Sequence, residues 1–167
     1  MVIGIGGCSN AGKSVLANEI IAKLPKKKII IFCQDDYTLD EDLIANYYEH
    51  TDWEIPESID IDSYIQDVKA AISKNDIVIC EGLFTFWWDE LAALYDRQLY
   101  LNLDKNEFIL RKAQDHRWGE EPGWYIRHIW DNHQIYGKIK NKREDDIYID
   151  ANIGVFEVDK IIKQLEL

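Results

Sequence analysis

One short run constrains this chain more than any other. Val2-Ile3-Gly4-Ile5 is an apolar strand candidate that leads straight into Gly7-Cys8-Ser9-Asn10-Ala11-Gly12-Lys13-Ser14. Leu16, Ala17, Ile20, Ile21 and Leu24 then recur at helical spacing until Pro25. The glycine-rich run fits G-x-x-x-x-G-K-[ST] and has the strand before it and helix after it that the pattern requires. Glycines let successive backbone N–H groups curl inward as an anion nest, and the helix N-terminus adds partial positive charge. Lys13 is a mobile point charge for outer phosphates, and the Ser14 hydroxyl is a hard oxygen ligand for Mg²⁺. The dinucleotide pattern G-x-G-x-x-G fails, because Gly4-Ile5-Gly6-Gly7-Cys8-Ser9 lacks its third glycine. The run therefore reads as a cradle for a nucleoside triphosphate, with Gly7, Ser9, Asn10, Ala11, Gly12, Lys13 and Ser14 as its contacts.

The rest of the chain supplies a sheet to carry that cradle. Ile29 to Cys33 and Ile77 to Cys80 are continuous apolar runs, as strands covered on both faces require. Gln98 to Leu103 and Ile147 to Ile149 are further strand candidates. Ile61 to Ile72, Ile126 to Tyr136 and Val158 to Leu165 carry apolar residues at helical period. This alternation predicts an α/β P-loop NTPase three-layer sandwich, with about five parallel strands and helices on both faces. With 167 residues and no linker-like tract, the chain reads as a single domain over 1–167, with a small lid at about 111–124. The stretches Asp35 to Pro56 and Arg111 to Trp124 are least periodic and are where function-bearing loops belong.

Composition narrows the partners. The net charge of -12 argues against coating nucleic acid or an anionic membrane, yet leaves room for a local phosphate site. No run is long enough for a membrane helix, and no secretory leader opens the chain. The odd set Cys8, Cys33 and Cys80 fits reduced thiols, so a cytoplasmic location is expected.

Ligands of open parallel sheets sit beyond the carboxyl ends of the strands. Asp35 and Asp36 follow the second strand candidate and Glu81 follows the third, so the topology aims all three at the cradle. A kinase needs one carboxylate to orient or deprotonate the attacking hydroxyl and another acidic group near Mg²⁺. Asp35 suits the first role and Glu81 the second. Taken alone, Asp35-Asp36 could equally be a solvated turn, and Glu81 could emerge into water.

At this point the residues resemble a family. The cradle, Gln34-Asp35-Asp36-Tyr37 and Ile79-Cys80-Glu81-Gly82 are together similar to the uridine kinase–phosphoribulokinase group of P-loop kinases. Within it the nicotinamide riboside kinases are the nearest likeness. Asp52 to Asp60 and Pro122-Gly123-Trp124-Tyr125 running into His128-Ile129-Trp130 add to it. The resemblance implies Asp35 as the base toward a ribose 5′-hydroxyl, and Glu81 near the metal and that hydroxyl. It implies Trp53 against the base and Glu54 on the ribose hydroxyls, where the family more often has Asp. It further implies lid arginines on the phosphates, Arg111 and Arg117, with Lys13 and Arg111 joining Asp35 in catalysis, and Trp118 closing over the base. A cationic nicotinamide between two indoles would gain roughly 0.5–2 kcal/mol per face, although packing is the commoner task of tryptophan.

The implied activity is an ATP- and Mg²⁺-dependent kinase acting on the 5′-hydroxyl of a nucleoside, with nicotinamide riboside first. A uridine or cytidine kinase and a nucleotide-binding switch without acceptor are the alternatives. His116, His128 and His133 lack metal-ligand spacing, and Cys8 reads as a small inert residue of the loop.

Overall fold

In the computed structural model, which describes residues 1–117 and 119–167, each element follows from local sequence. The strands are β1 (Val2–Gly7), β2 (Ile29–Cys33), β3 (Asn46–Tyr47), β4 (His50–Thr51), β5 (Ile77–Gly82), β6 (Arg97–Asn102) and β7 (Ile147–Asp150). The helices are α1 (Lys13–Lys23), α2 (Ile61–Ile72), α3 (Asp89–Ala92), α4 (Lys105–Gln114), α5 (Gly123–Tyr136) and α6 (Val158–Gln164). Five strands form one parallel sheet in the order β2-β5-β1-β6-β7, and β3 and β4 pair as a small antiparallel hairpin.

Side-chain alternation along the strands feeds two cores. Ile3, Ile5, Ile77, Ile79, Leu99 and Leu101 pack on one face with Leu16, Ala17 and Ile20 of α1 and Ile161 of α6. Val2, Val78, Cys80 and Tyr100 pack on the other with Tyr64 and Val68 of α2 and Leu91 of α3. Burial on both faces is why these strands read as continuous apolar runs. The fold is the α/β three-layer sandwich of P-loop proteins. Among the described residues, no helix is long and apolar enough to cross a membrane.

Two features differ from the sequence expectation. Arg111 lies inside α4, which runs on to Gln114, so the residues described between α4 and α5 are 115–117 and 119–122. Only Phe108 and Lys112 of α4 are buried, which left too little apolar periodicity to reveal a helix. The aperiodic Asp35–Pro56 stretch contains short 3-10 turns and the β3–β4 hairpin, whose two-residue strands cannot show an alternation.

Topology positions the site. The chain leaves β1 for the edge strand β2 and returns to fill the gap with β5, so the carboxyl ends of β1, β5 and β2 lie side by side. Glu81 of β5 is in register with Ile5 of β1 on one side and Cys33 of β2 on the other.

Candidate active site

The glycine-rich loop closes on itself. The Ala11 amide donates to the Cys8 carbonyl at 3.2 Å, and Gly12 enters α1 with φ of +93°, a left-handed value that favours glycine. No side chain caps α1, so its first N–H groups remain open toward an anion. Lys13 folds back and donates from Nζ to the Cys8 carbonyl at 3.1 Å. Burial holds the Cys8 thiol up at about 12, with Lys13 opposing, which makes it an inert wall of the loop.

Ser14 and Glu81, 67 positions apart, meet at the strand ends: Ser14 Oγ donates to Glu81 Oε1 at 2.7 Å. These two hard oxygens fit Mg²⁺, which takes oxygen ligands and usually shares them with phosphates. No group of three or more metal-binding side chains occurs among the described residues; Mg²⁺ held by Ser14 and Glu81 would take its remaining ligands from phosphate oxygens and water.

Asp35 occupies a 3-10 turn (Gln34–Tyr37) just beyond β2. Burial pushes its carboxyl above the usual range; Lys13 and Arg117 pull it down, while Glu81 and Asp36 push it up. The charges acting on Asp35 are thus those of the loop lysine, Glu81, its neighbour Asp36 and Arg117. Its neighbour Gln34 is buried and accepts from the Phe84 amide at 2.8 Å, tying the end of β2 to the residues after β5. Sequence reasoning missed Gln34 as a positioning residue, because its partner lies 50 positions away.

Arg111 has its guanidinium engaged with backbone. It donates to the carbonyls of Asn10 at 3.2 Å, Ala151 at 2.7 Å and Asn152 at 3.1 Å, and to Glu107 at 2.8 Å. The structure therefore places Arg111 as a clasp between the phosphate loop and the turn after β7. Arg117 is exposed and held by Asp115 through two contacts of 2.8 and 2.7 Å, with Asn10 Oδ1 at 3.5 Å. Those contacts hold the Asp115 carboxyl well below the usual range. Asn10, at φ of +60°, links both arginines: its side chain also donates to the Arg111 carbonyl at 3.4 Å.

The second half of the site is Thr51 to Glu54. Helix α5 grips this segment at three points. Tyr125 Oη donates to the Thr51 carbonyl at 3.2 Å, His128 Nε2 meets Asp52 Oδ1 at 2.8 Å, and Asn132 Nδ2 donates to the Glu54 carbonyl at 3.0 Å. Tyr47 stacks on His128 at 3.6 Å between ring centroids. Trp53 is 38% exposed, with its ring free of aromatic partners among the described residues. The Glu54 side chain is half-buried and its carboxyl makes no hydrogen bond among the described residues; burial raises it to about 7. His128, set aside on spacing alone, is therefore a support of the site. His133 is buried, hydrogen-bonded to Tyr100 Oη at 2.9 Å, and lowered by burial to about 3. Trp118 lies outside the described residues.

A phosphate loop, a carboxylate beyond β2 and a strand-end glutamate against the loop serine sit together at the strand ends of a P-loop α/β sandwich, an arrangement similar to that of P-loop kinases. The relatives agree. Human nicotinamide riboside kinase 2 is 26% identical over 156 residues, 81% of this chain and 67% of that protein. A uridine kinase of Ureaplasma parvum serovar 3 is 25% identical over 138 residues, 67% of each chain. A putative fructose transport system kinase from Silicibacter sp. TM1040 shares the fold with a TM-score of 0.66 at 16% identity, covering 89% of both chains. No known protein-family profile matches the chain. The chain is thus similar to nicotinamide riboside kinases and uridine kinases, as its motifs implied.

Proposed function

We propose that this chain is a Mg²⁺-dependent kinase that moves the γ-phosphoryl group of ATP to the 5′-hydroxyl of a nucleoside, with nicotinamide riboside as preferred acceptor. The Ser14–Glu81 pair at the strand ends beside the phosphate loop, with Lys13 and Glu81 acting on Asp35, carries the reading. ATP·Mg²⁺ supplies the transferable group and the charge that neutralises it. The open amides of the loop and Lys13 hold the phosphates, while Ser14 and Glu81 hold the ion. Asp35 orients the acceptor hydroxyl and takes its proton as the new O–P bond forms and the bond to the leaving diphosphate breaks. Arg117 faces the developing charge, and Arg111 fixes the loop from behind.

Charge supports a cationic acceptor. Asp35, Asp52, Glu54 and Glu121 bring four carboxyl groups to this region, against Lys13, Lys112 and Arg117. A nicotinamide ring on the Trp53 indole would add stacking and cation–π energy of about 0.5–2 kcal/mol. A pyrimidine nucleoside is the second reading, favoured by the likeness to uridine kinase. The test is acceptor-dependent ADP release with nicotinamide riboside, uridine, cytidine and no acceptor. Selective release with nicotinamide riboside is expected. Release with pyrimidines alone would overturn the base assignment, and equal release without acceptor would overturn the kinase.

A further inference from the structure

The backbone that carries Trp53 and Glu54 is tied down at every polar group. The Trp53 amide donates to the Thr51 carbonyl at 3.1 Å, and the Ser58 hydroxyl donates to the Trp53 carbonyl at 3.3 Å. The Glu54 amide donates to Asp52 Oδ1 at 3.2 Å, and Asn132 Nδ2 donates to the Glu54 carbonyl at 3.0 Å. The side chains are the part left free: the Trp53 indole is exposed, and the Glu54 carboxyl is half-buried without a hydrogen bond among the described residues. A fixed backbone beneath an unengaged indole and carboxyl is what a preorganised ligand platform requires.

Asp52 Oδ1 closes this turn, and His128 of α5 holds that oxygen. His128 Nε2 lies 2.8 Å from it, and both side chains are only 10% exposed. Tyr47 of β3 fixes the plane of the imidazole, stacked on it at 3.6 Å between centroids and 6° between planes. Asn132, one turn further along α5, also approaches Nε2 with its Nδ2 at 3.1 Å. The bond to the Glu54 carbonyl assigns that amide atom as nitrogen, since an oxygen there would oppose a carbonyl. Nε2 therefore stands between a carboxylate oxygen, which only accepts, and an amide nitrogen, which only donates. A bare Nε2 would set its lone pair against the carboxylate at the shorter of the two distances. A proton on Nε2 turns that contact into a charge-assisted hydrogen bond, while the Asn132 amide stays satisfied by the Glu54 carbonyl.

Resting on the kinase reading above, we propose that the Nε2–H of His128 is a positioning group for the acceptor. It holds Asp52 Oδ1 where the Glu54 amide reaches it, and so sets where Trp53 and Glu54 stand. His128 acts through Asp52, and its contribution lies in acceptor affinity and not in the transfer step. The stacked Tyr47 ring aims the donor but does not replace it.

Two substitutions separate the hydrogen bond from the packing. His128→Phe keeps a ring against Tyr47 and loses the donor, whereas His128→Gln loses the ring and keeps an N–H near the Nε2 position. The full chain is labelled with 5-fluorotryptophan, and the Trp53 resonance, assigned with Trp53→Phe, is followed by ¹⁹F NMR without ligand. Acceptor and ATP KM are measured with nicotinamide riboside. His128→Phe should shift the Trp53 resonance and raise acceptor KM about tenfold, the scale of one hydrogen bond to a charged group, with ATP KM changed less than about twofold. His128→Gln should leave the resonance in place and acceptor KM within about threefold of wild type. Asp52→Ala should reproduce the His128→Phe effect, and adding His128→Phe to it should raise acceptor KM no further. A Trp53 resonance unmoved by His128→Phe would overturn the proposal. So would equal rises of ATP and acceptor KM, the mark of general loosening. If His128→Phe does not fold, His128→Gln decides alone, because a shifted Trp53 resonance there would show that the ring and not the donor holds the segment. If wild type turns over no acceptor, the kinase reading fails, while the Trp53 resonance still decides whether His128 places the turn.

Discussion

Glu54→Gln should make the ligand-free protein more stable while weakening its acceptor affinity. The Glu54 carboxyl is raised from 4.5 to about 7, chiefly by burial. A carboxyl raised in the fold is a carboxylate the fold disfavours: the penalty is absent below about pH 4.5, grows between there and about pH 7, and is complete above. A shift of that size corresponds to at most about 3.5 kcal/mol, at about 1.4 kcal/mol per pH unit. Glutamine keeps the shape and removes the charge, so the gain should follow that window. For a chain of this length, about 2–4 °C of Tm accompanies each kcal/mol, so Tm should rise several degrees at pH 8 and hardly at all at pH 4.5. Thermal unfolding followed by circular dichroism at the two pH values reads this out. An equal shift at both values, or a loss at pH 8, would refute a desolvated, uncompensated Glu54. Losing a hydrogen-bond acceptor that carries charge should also raise acceptor KM by roughly ten- to a hundredfold, from about 1.5–3 kcal/mol.

Other perturbations separate the parts of the site. Asp35→Asn should lower kcat by about 10²–10⁴ with ATP affinity kept, because the Asp35 side chain has no hydrogen-bond partner among the described residues; a kcat within threefold of wild type would remove Asp35 from proton transfer. Arg111→Lys loses the fork that reaches the carbonyls of Asn10, Ala151 and Asn152 and should raise ATP KM about tenfold, for roughly 1.4 kcal/mol, with acceptor KM moving less. An unchanged ATP KM would mean that the clasp is dispensable. Gly82→Ala would put a Cβ 2.3 Å from Gln34 Oε1 and 2.4 Å from Gln34 Cβ, and should lower stability by about 1–3 kcal/mol in urea unfolding; a midpoint equal to wild type would show that Gln34 yields freely.

The parts that were legible in the sequence are those where local chemistry and topology coincide. The phosphate loop announces itself through Gly12, Lys13 and Ser14, and the apolar runs around Ile31 and Ile79 through burial on both faces. Ser14 and Glu81 could be paired from sequence because ligands of parallel sheets gather at strand ends. What stayed hidden depends on partners far apart in the chain. His128 gains its role only from Asp52, Lys112 from Glu121, and Gln34 from Phe84. Arg111 drew notice in the sequence as a lid arginine, but its helix was not legible, since α4 buries only Phe108 and Lys112. The carbonyls it binds carry no side-chain signal at all.

Transfer to an acceptor oxygen, as opposed to ATP hydrolysis or silent nucleotide binding, is the central claim, and ³¹P NMR of a mixture of protein, ATP, Mg²⁺ and nicotinamide riboside tests it most directly. The expected result is a phosphomonoester resonance coupled to the 5′ protons of the ribose, growing in step with ADP. Inorganic phosphate growing in its place, or an ATP spectrum that never changes, would contradict the account.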